Sequence, residues 1–257
     1  MTDHCTALTL FALGDVPMID EGADLAEIVL AAVGHDGQAL IDGDVIILAQ
    51  KIVSKAEGRL VDLATIAVSP RALDLGEESD KDPRLVELIL RESQEVMRVR
   101  KGALIVRHRL GLVLANAGID QSNIDHGGAT FALLLPEDPD ASAQRIRRAL
   151  VERTGADVAV LIIDSLGRAW RTGTTGTAIG VAGMPGLVDL RGQPDLHGRT
   201  LATSELGLAD EVAAAASLIM GQADEGRPIV LARGVGYGRR DGTAAELIRP
   251  RHMDMFP

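Results

Sequence analysis

Two short runs, Val45–Ala49 and residues 158–163, are apolar without interruption and rich in β-branched side chains. A strand with one wet face alternates apolar and polar residues, whereas a continuous run suits a strand covered on both faces. Covering both faces takes helices, and the sequence between the runs supplies them. Leu25, Ile28, Val29 and Ala32 recur at helical spacing over 24–33, with Gly34 as a stop signal. Asp82-Pro83 provides a cap and a first-turn proline for a helix over 84–97. Asp138-Pro139 repeats that signal for a helix striped by Ile146, Leu150 and Val151 and ended by Gly155. Residues 103–106 and 110–115 read as two further strands. An alanine-rich helix over 205–220 stops at Gly221, and 228–232 reads as a closing strand. Helices alternating with strands in this way predict the α/β class. At 257 residues the chain is long enough for one unit, built as two closely packed subdomains.

Charge narrows the function. A net charge of −11 works against an extended nucleic-acid surface, which needs lysine and arginine along the phosphates. At 2% aromatic residues, base-stacking platforms are scarce as well. No apolar run approaches the roughly 18 residues of a membrane span. The single cysteine, Cys5, and an N-terminal stretch without the basic-then-apolar order of a leader predict a cytoplasmic protein with no membrane partner.

Polar residues gather after three predicted strands, in 50–55, 116–123 and 164–171. In α/β proteins, binding groups collect beyond the carboxyl ends of strands, so the three clusters are candidates for one site. Asp120 and Asp164, with Ser165 beside the latter, offer hard oxygen ligands of the kind Mg²⁺ or Mn²⁺ accepts while substrate phosphates complete its shell. Lys51 or Lys55 offsets phosphate charge, and Arg168 and Arg171 carry the planar fork suited to phosphate or carboxylate. Each aspartate alone reads first as a cap or turn former; only the combination points to metal and phosphate. Trp170, the only tryptophan, reads as a packing residue. Gly173, Gly176, Gly180 and Gly183 fit either bends or close backbone approach to phosphate, and 164–203 reads as a long loop with one short strand over 178–181. A P-loop is excluded because no lysine follows a glycine, and Gly234-Val235-Gly236-Tyr237-Gly238 is an incomplete dinucleotide fingerprint.

The strings GDVPMIDEGADLAEI, QKIVSKAEGR, ANAGIDQSN, LLPEDPDASAQRIR, IIDSLGRAWRTGTTGTAIGVAG and DLRGQPDLHGRTL, in this order along most of the chain, strongly resemble the coenzyme F-420-0:L-glutamate ligase family. The resemblance implies a gamma-glutamyl ligase-like fold with mixed sheets, an intertwined homodimer, and GTP-dependent addition of L-glutamate by gamma-linkage to a deazaflavin precursor. It further implies Mg²⁺ or Mn²⁺ as cofactor, with K⁺ as an additional ion. Carried over by motif, the metal ligands fall on Asp120, Asp164, Ser165 and Gln222. The family's usual hydroxyl after the second aspartate is threonine, and serine keeps the oxygen. Nucleotide contacts fall on Val16, Pro17, Met18, Ile19, Gln50, Lys55, Asn123, Met220, Gly221 and Gln222. Lys55, Arg168 and Arg171 are the cations expected to position anions during catalysis. The nitroreductase-like domain that follows in some relatives is not expected before Pro257. Two other functions fit the same residues: an amide-bond ligase acting on another phosphorylated acid, and a non-catalytic sensor of GTP and metal.

Overall fold

The computed structural model describes residues 7–121 and 130–254. In chain order the elements are β1 (Thr9–Ala12), α1 (Leu25–His35), β2 (Val45–Ala49), α2 (Gln50–Ala56), β3 (Leu60–Asp62), α3 (Pro70–Ser79) and α4 (Pro83–Arg91). There follow β4 (Ser93–Arg100), β5 (Ala103–His108), β6 (Val113–Ala115), β7 (Phe131–Leu133), α5 (Pro139–Thr154), β8 (Ala159–Arg168) and β9 (Arg171–Ala182). The last are β10 (Val188–Asp189), β11 (Glu205–Leu206), α6 (Leu208–Met220) and β12 (Ile229–Arg233). The architecture is mixed α/β.

The two uninterrupted runs lie side by side, as their composition requires. The central sheet has the order β1-β12-β2-β8-β9, and only β2 and β8 within it are parallel. Ile46 and Leu48 of β2 with Val160 and Ile162 of β8 face α1, α2 and α5. Val45, Ile47, Ala159, Leu161 and Ile163 face α6. Both faces are therefore sealed, and each valine, leucine or isoleucine side chain there contributes about 2 kcal/mol of burial. A third apolar cluster joins α3 and α4 to the antiparallel sheet β4-β5-β6 and to β7. Glu92, at the end of α4, ties that layer to the turn after α2: it accepts from Arg59 at 3.1 Å and Arg109 at 3.0 Å. Burial works to raise its pKa, but His108, Arg109 and Arg59 outweigh that and hold the carboxyl down at about 2. Among the described residues no helix is long and apolar enough to cross a membrane.

The helix predicted over 84–97 ends early, because Ser93–Arg100 pairs with β5 as a strand. The loop predicted over 164–203 is corrected more strongly. It holds the twelve-residue β9, which folds back on a ten-residue β8 as one long hairpin. Gly176 and Gly180 make room for neighbouring helices, and Gly180 borders a register shift opposite Ile162 and Ile163. A Cβ on Gly176 would lie 2.3 Å from the Ala213 carbonyl oxygen of α6, and one on Gly180 would lie 2.4 Å from that of Pro139 in α5. Gly173 and Gly183 do adopt the left-handed region, at φ +83° and +76°.

Candidate active site

Ala49 and Ile163 are register partners, so β2 ends beside Ile163 of β8, where the parallel pairing of the two strands stops. The chain then turns into α2 with Gln50 and Lys51 on one strand and continues into Asp164 on the other. Asp120 arrives at this edge from a different route. Its backbone exchanges hydrogen bonds with Leu133 of β7, N–H to O at 3.0 Å and the reverse at 2.8 Å. It is delivered by Asn116, Ala117 and Gly118, three successive residues in the left-handed region at φ +52°, +54° and +66°. Left-handed conformations at non-glycine residues cost about 1 to 2 kcal/mol each, and strain of this sort clusters at functional sites. The Asn116 side chain offsets part of it by accepting the Leu104 N–H at 3.1 Å.

Lys51 Nζ lies 2.5 Å from Asp120 Oδ2. Asp164 is half-buried beside them and accepts the Ser165 N–H at 2.8 Å. Burial pushes the Asp164 carboxyl up to about 6; the Ser165 N–H and Lys51 pull it down, and the Asp120 charge adds to the rise. Among the described residues these two neighbouring carboxylates share one cation, Lys51, which is ion-paired to Asp120. Among the described residues no group of three or more Asp, Glu, His or Cys converges. What Asp120 and Asp164 offer is two carboxylates, the number that Mg²⁺ accepts while its remaining positions go to water or phosphate oxygen.

Consecutive strand residues point to opposite faces, so the Ser165 side chain leaves β8 on the α6 side, away from Asp164. Its partner Gly176 lies against Ser217, whose hydroxyl accepts a hydrogen bond from Gln222 Nε2 at 3.1 Å. Asp120 and Asp164 are therefore together on one face, whereas Ser165 faces α6 and Gln222 lies just past the end of that helix. Met220 is the buried last residue of α6, and Gly221 caps it at φ +79°. Gln50 is buried and accepts the Ser54 hydroxyl at 2.9 Å; Lys55 lies one turn beyond Lys51 on the same side of α2. The loop carrying Val16, Pro17, Met18 and Ile19 is fixed to both structures: Leu13 N–H donates to Ile229 O at 2.9 Å, and Gly22 N–H to Ala56 O at 2.8 Å, at the end of α2. Ile19 is buried, while Met18 is 80% exposed. Asn123 lies outside the described residues.

The hairpin carries Arg168 and Arg171 away from this edge. They pair across its tip, four strand positions or roughly 13 Å past Asp164, and both are exposed. One chain does not bring them to the Asp120–Asp164 pair. Trp170 is corrected: it is 90% exposed at the tip with φ +64°, because the hairpin runs beyond everything that could pack on it. The residues alone leave Lys51 and Lys55 open, and the resemblance names Lys55; in the helix Gln50–Ala56 Lys51 occupies the first turn, nearest the end of β2.

Residues 14–234 match the family model described as F420-0:Gamma-glutamyl ligase. The coenzyme F420:L-glutamate ligase of Methanothermobacter thermautotrophicus is 48% identical over 251 residues, covering 97% of this chain and 98% of that protein. The proteins of the same name from Methanopyrus kandleri and Methanocaldococcus jannaschii are 48% and 43% identical, over 91% and 84% of this chain and 92% and 85% of theirs. Matches of this extent leave no part of the site outside the aligned region, and the chain belongs to the F420-0:gamma-glutamyl ligase family.

Proposed function

We propose that this enzyme joins L-glutamate to a deazaflavin coenzyme precursor by gamma-linkage, with GTP as the activating co-substrate. The relatives' shared name supports the ligase and its glutamate substrate. The observation that carries the nucleotide and metal side of the reading is the convergence of Asp120, Asp164 and Lys51 where β2 ends and its pairing with β8 stops. A divalent ion held by Asp120 and Asp164, with a second at Ser165 and Gln222, would draw charge from the phosphates of the nucleotide. K⁺ is the additional ion.

A free carboxylate is a poor acyl donor. In the proposed sequence an oxygen of the acceptor carboxylate attacks the γ-phosphorus, the bond to the β-phosphate oxygen breaks, and GDP leaves with that electron pair. The amine of glutamate then attacks the acyl carbon of the resulting acyl phosphate, loses a proton, and expels inorganic phosphate as the amide forms. No protein nucleophile is required. Lys51 and Lys55 stand on one side of α2 to meet phosphate oxygens, and the loop at Val16–Ile19 with Gln50 and Asn123 holds the nucleotide. Met220 and Gly221 position Gln222. The contribution of these groups is proximity and electrostatic stabilisation.

Arg168 and Arg171 enter this scheme through a homodimer. An exposed tryptophan between two arginines at the end of a projecting hairpin supports contact with a second copy, which would bring the arginines to that copy's anions. The cytoplasm is the proposed compartment, and the chain is proposed to act as one ligase unit.

The test is mass spectrometry of the precursor after incubation with enzyme, GTP, Mg²⁺ and L-glutamate. The expected result is a gain of glutamyl mass with stoichiometric GDP. An unchanged precursor overturns the ligase reading, and product formed equally with ATP alone overturns the GTP assignment.

A further inference from the structure

Lys51 is one of only four lysines among 26 basic residues, and it meets one of the two carboxylates proposed to hold metal. Its ammonium is 2.5 Å from Asp120 Oδ2, with the two side chains 38% and 23% exposed. The aspartate has little freedom to move. Its backbone is clamped on both sides of the peptide by Leu133, and the left-handed turn at 116–118 fixes its approach. The lysine is the mobile partner, a point charge on a four-carbon stem at the start of α2. An arginine in its place would grip the carboxylate with a two-toothed fork that is harder to displace. Asp164, by contrast, has no ion pair among the described residues; it takes the Ser165 N–H. Among the described residues Lys51 thus meets the two carboxylates from the Asp120 side.

We infer that Lys51 is a resident cation: in the metal-free enzyme its ammonium holds the ligating face of Asp120, and a divalent ion binds by displacing it. The inference rests on the proposed metal role of Asp120 and Asp164. The displaced ammonium remains at the strand ends, beside the place proposed for the nucleotide phosphates. Metal binding therefore releases a cation to the nucleotide, and the two ligands are coupled through a single side chain.

The test uses Mn²⁺ alone, without nucleotide, titrated into the full chain by electron paramagnetic resonance. Lys51→Met removes the competitor and is expected to tighten Mn²⁺ binding about tenfold, within the range of such couplings. Lys55→Met removes the same charge one turn further along α2 and is expected to change it less than about twofold, the scale of a screened charge. In the unsubstituted chain, peptide mapping after acylation reads Lys51 directly, and its amine is expected to react faster once Mg²⁺ is present. Equal tightening in both lysine variants, no tightening in Lys51→Met, or an unchanged Lys51 acylation rate overturns the inference. Asp164→Asn runs beside them: if it binds Mn²⁺ as tightly as the unsubstituted chain, the metal role of the pair fails, and the resident-cation inference falls with it.

Discussion

The two halves of the β8–β9 hairpin are paired as one ladder yet answer to different demands. In the inner half, Val160, Leu161 and Ile162 face Ala182, Val181 and Gly180 between helices on both sides, and nearly all of these residues are fully buried. The inner part of β9 is a sheet edge, and its outward N–H groups are closed by carboxylates: Ala178 donates to Asp210 of α6 and Val181 to Asp140 of α5, at 2.9 and 2.8 Å. Covering an edge in this way blocks the addition of a further strand. The outer half, from Asp164 to Thr177, has Leu166 and Gly176 as its buried residues and presents acid, hydroxyl and guanidinium groups instead. The apolar half fixes where the strand ends, and the polar half spends that fixed position on ligands.

Asp164→Asn should separate the halves most sharply. It removes a charge at the hinge between them while preserving size and one acceptor for the Ser165 N–H. Ligation should fall about a thousandfold, the scale of losing a group that organises transition-state charge, while the circular dichroism spectrum and unfolding midpoint stay unchanged. Turnover close to that of the unsubstituted enzyme would remove Asp164 from the chemistry.

Two glycine substitutions extend the comparison to stability. Gly180→Ala, in the inner half, drives a methyl against the Pro139 carbonyl of α5, where backbone must move. Denaturant unfolding should show a loss of about 2 to 3 kcal/mol, the upper range of overpacking. Gly173→Ala, in the outer half, meets nothing within 4 Å and is limited by its φ of +83°. It should cost about 1 kcal/mol. Equal losses would mean that the outer half is packed as tightly as the inner.

Legibility in the sequence follows the same division. The strand Val45–Ala49 and the helix Pro139–Thr154 were readable because continuous apolar runs and Asp-Pro caps are local signals. The strand β9 was hidden: Arg171 to Thr177 has no alternation, and its pairing is imposed by β8. Its glycines looked like bends or phosphate contacts because a close approach by a distant helix leaves no mark in the neighbouring sequence. β4 was lost for a related reason, since Ser93–Arg100 continues the pattern of α4 until β5 claims it. At the site, Asp120 and Asp164 could be singled out by residue type and position after a strand, and the resemblance raised them above ordinary caps. The Lys51–Asp120 pair could not be read, because it depends on the left-handed turn at 116–118 and on a strand contact with Leu133.

The smallest expected effect concerns the carboxylates that close the inner edge. Burial pushes the Asp210 carboxyl above its ordinary value, against the lowering effect of the Ala178 N–H. The folded chain then holds a proton there more readily than the unfolded chain does. Its contribution is fully present below the unfolded pKa of about 4 and is lost as pH rises through the higher folded value. Asp210→Asn retains an acceptor for Ala178 and does not titrate. Relative to this variant, the unsubstituted chain should therefore be most stable in acid and lose ground as pH rises above about 4. The total change should stay below about 1 kcal/mol, because the carboxylate also sits in the first turn of α6, where the helix dipole favours its charge. Urea midpoints of both chains between acid and neutral pH give the difference directly. A difference that grows in favour of the unsubstituted chain toward neutral pH would show that the dipole and the N–H outweigh burial, and that the inner edge is closed by charge rather than in spite of it.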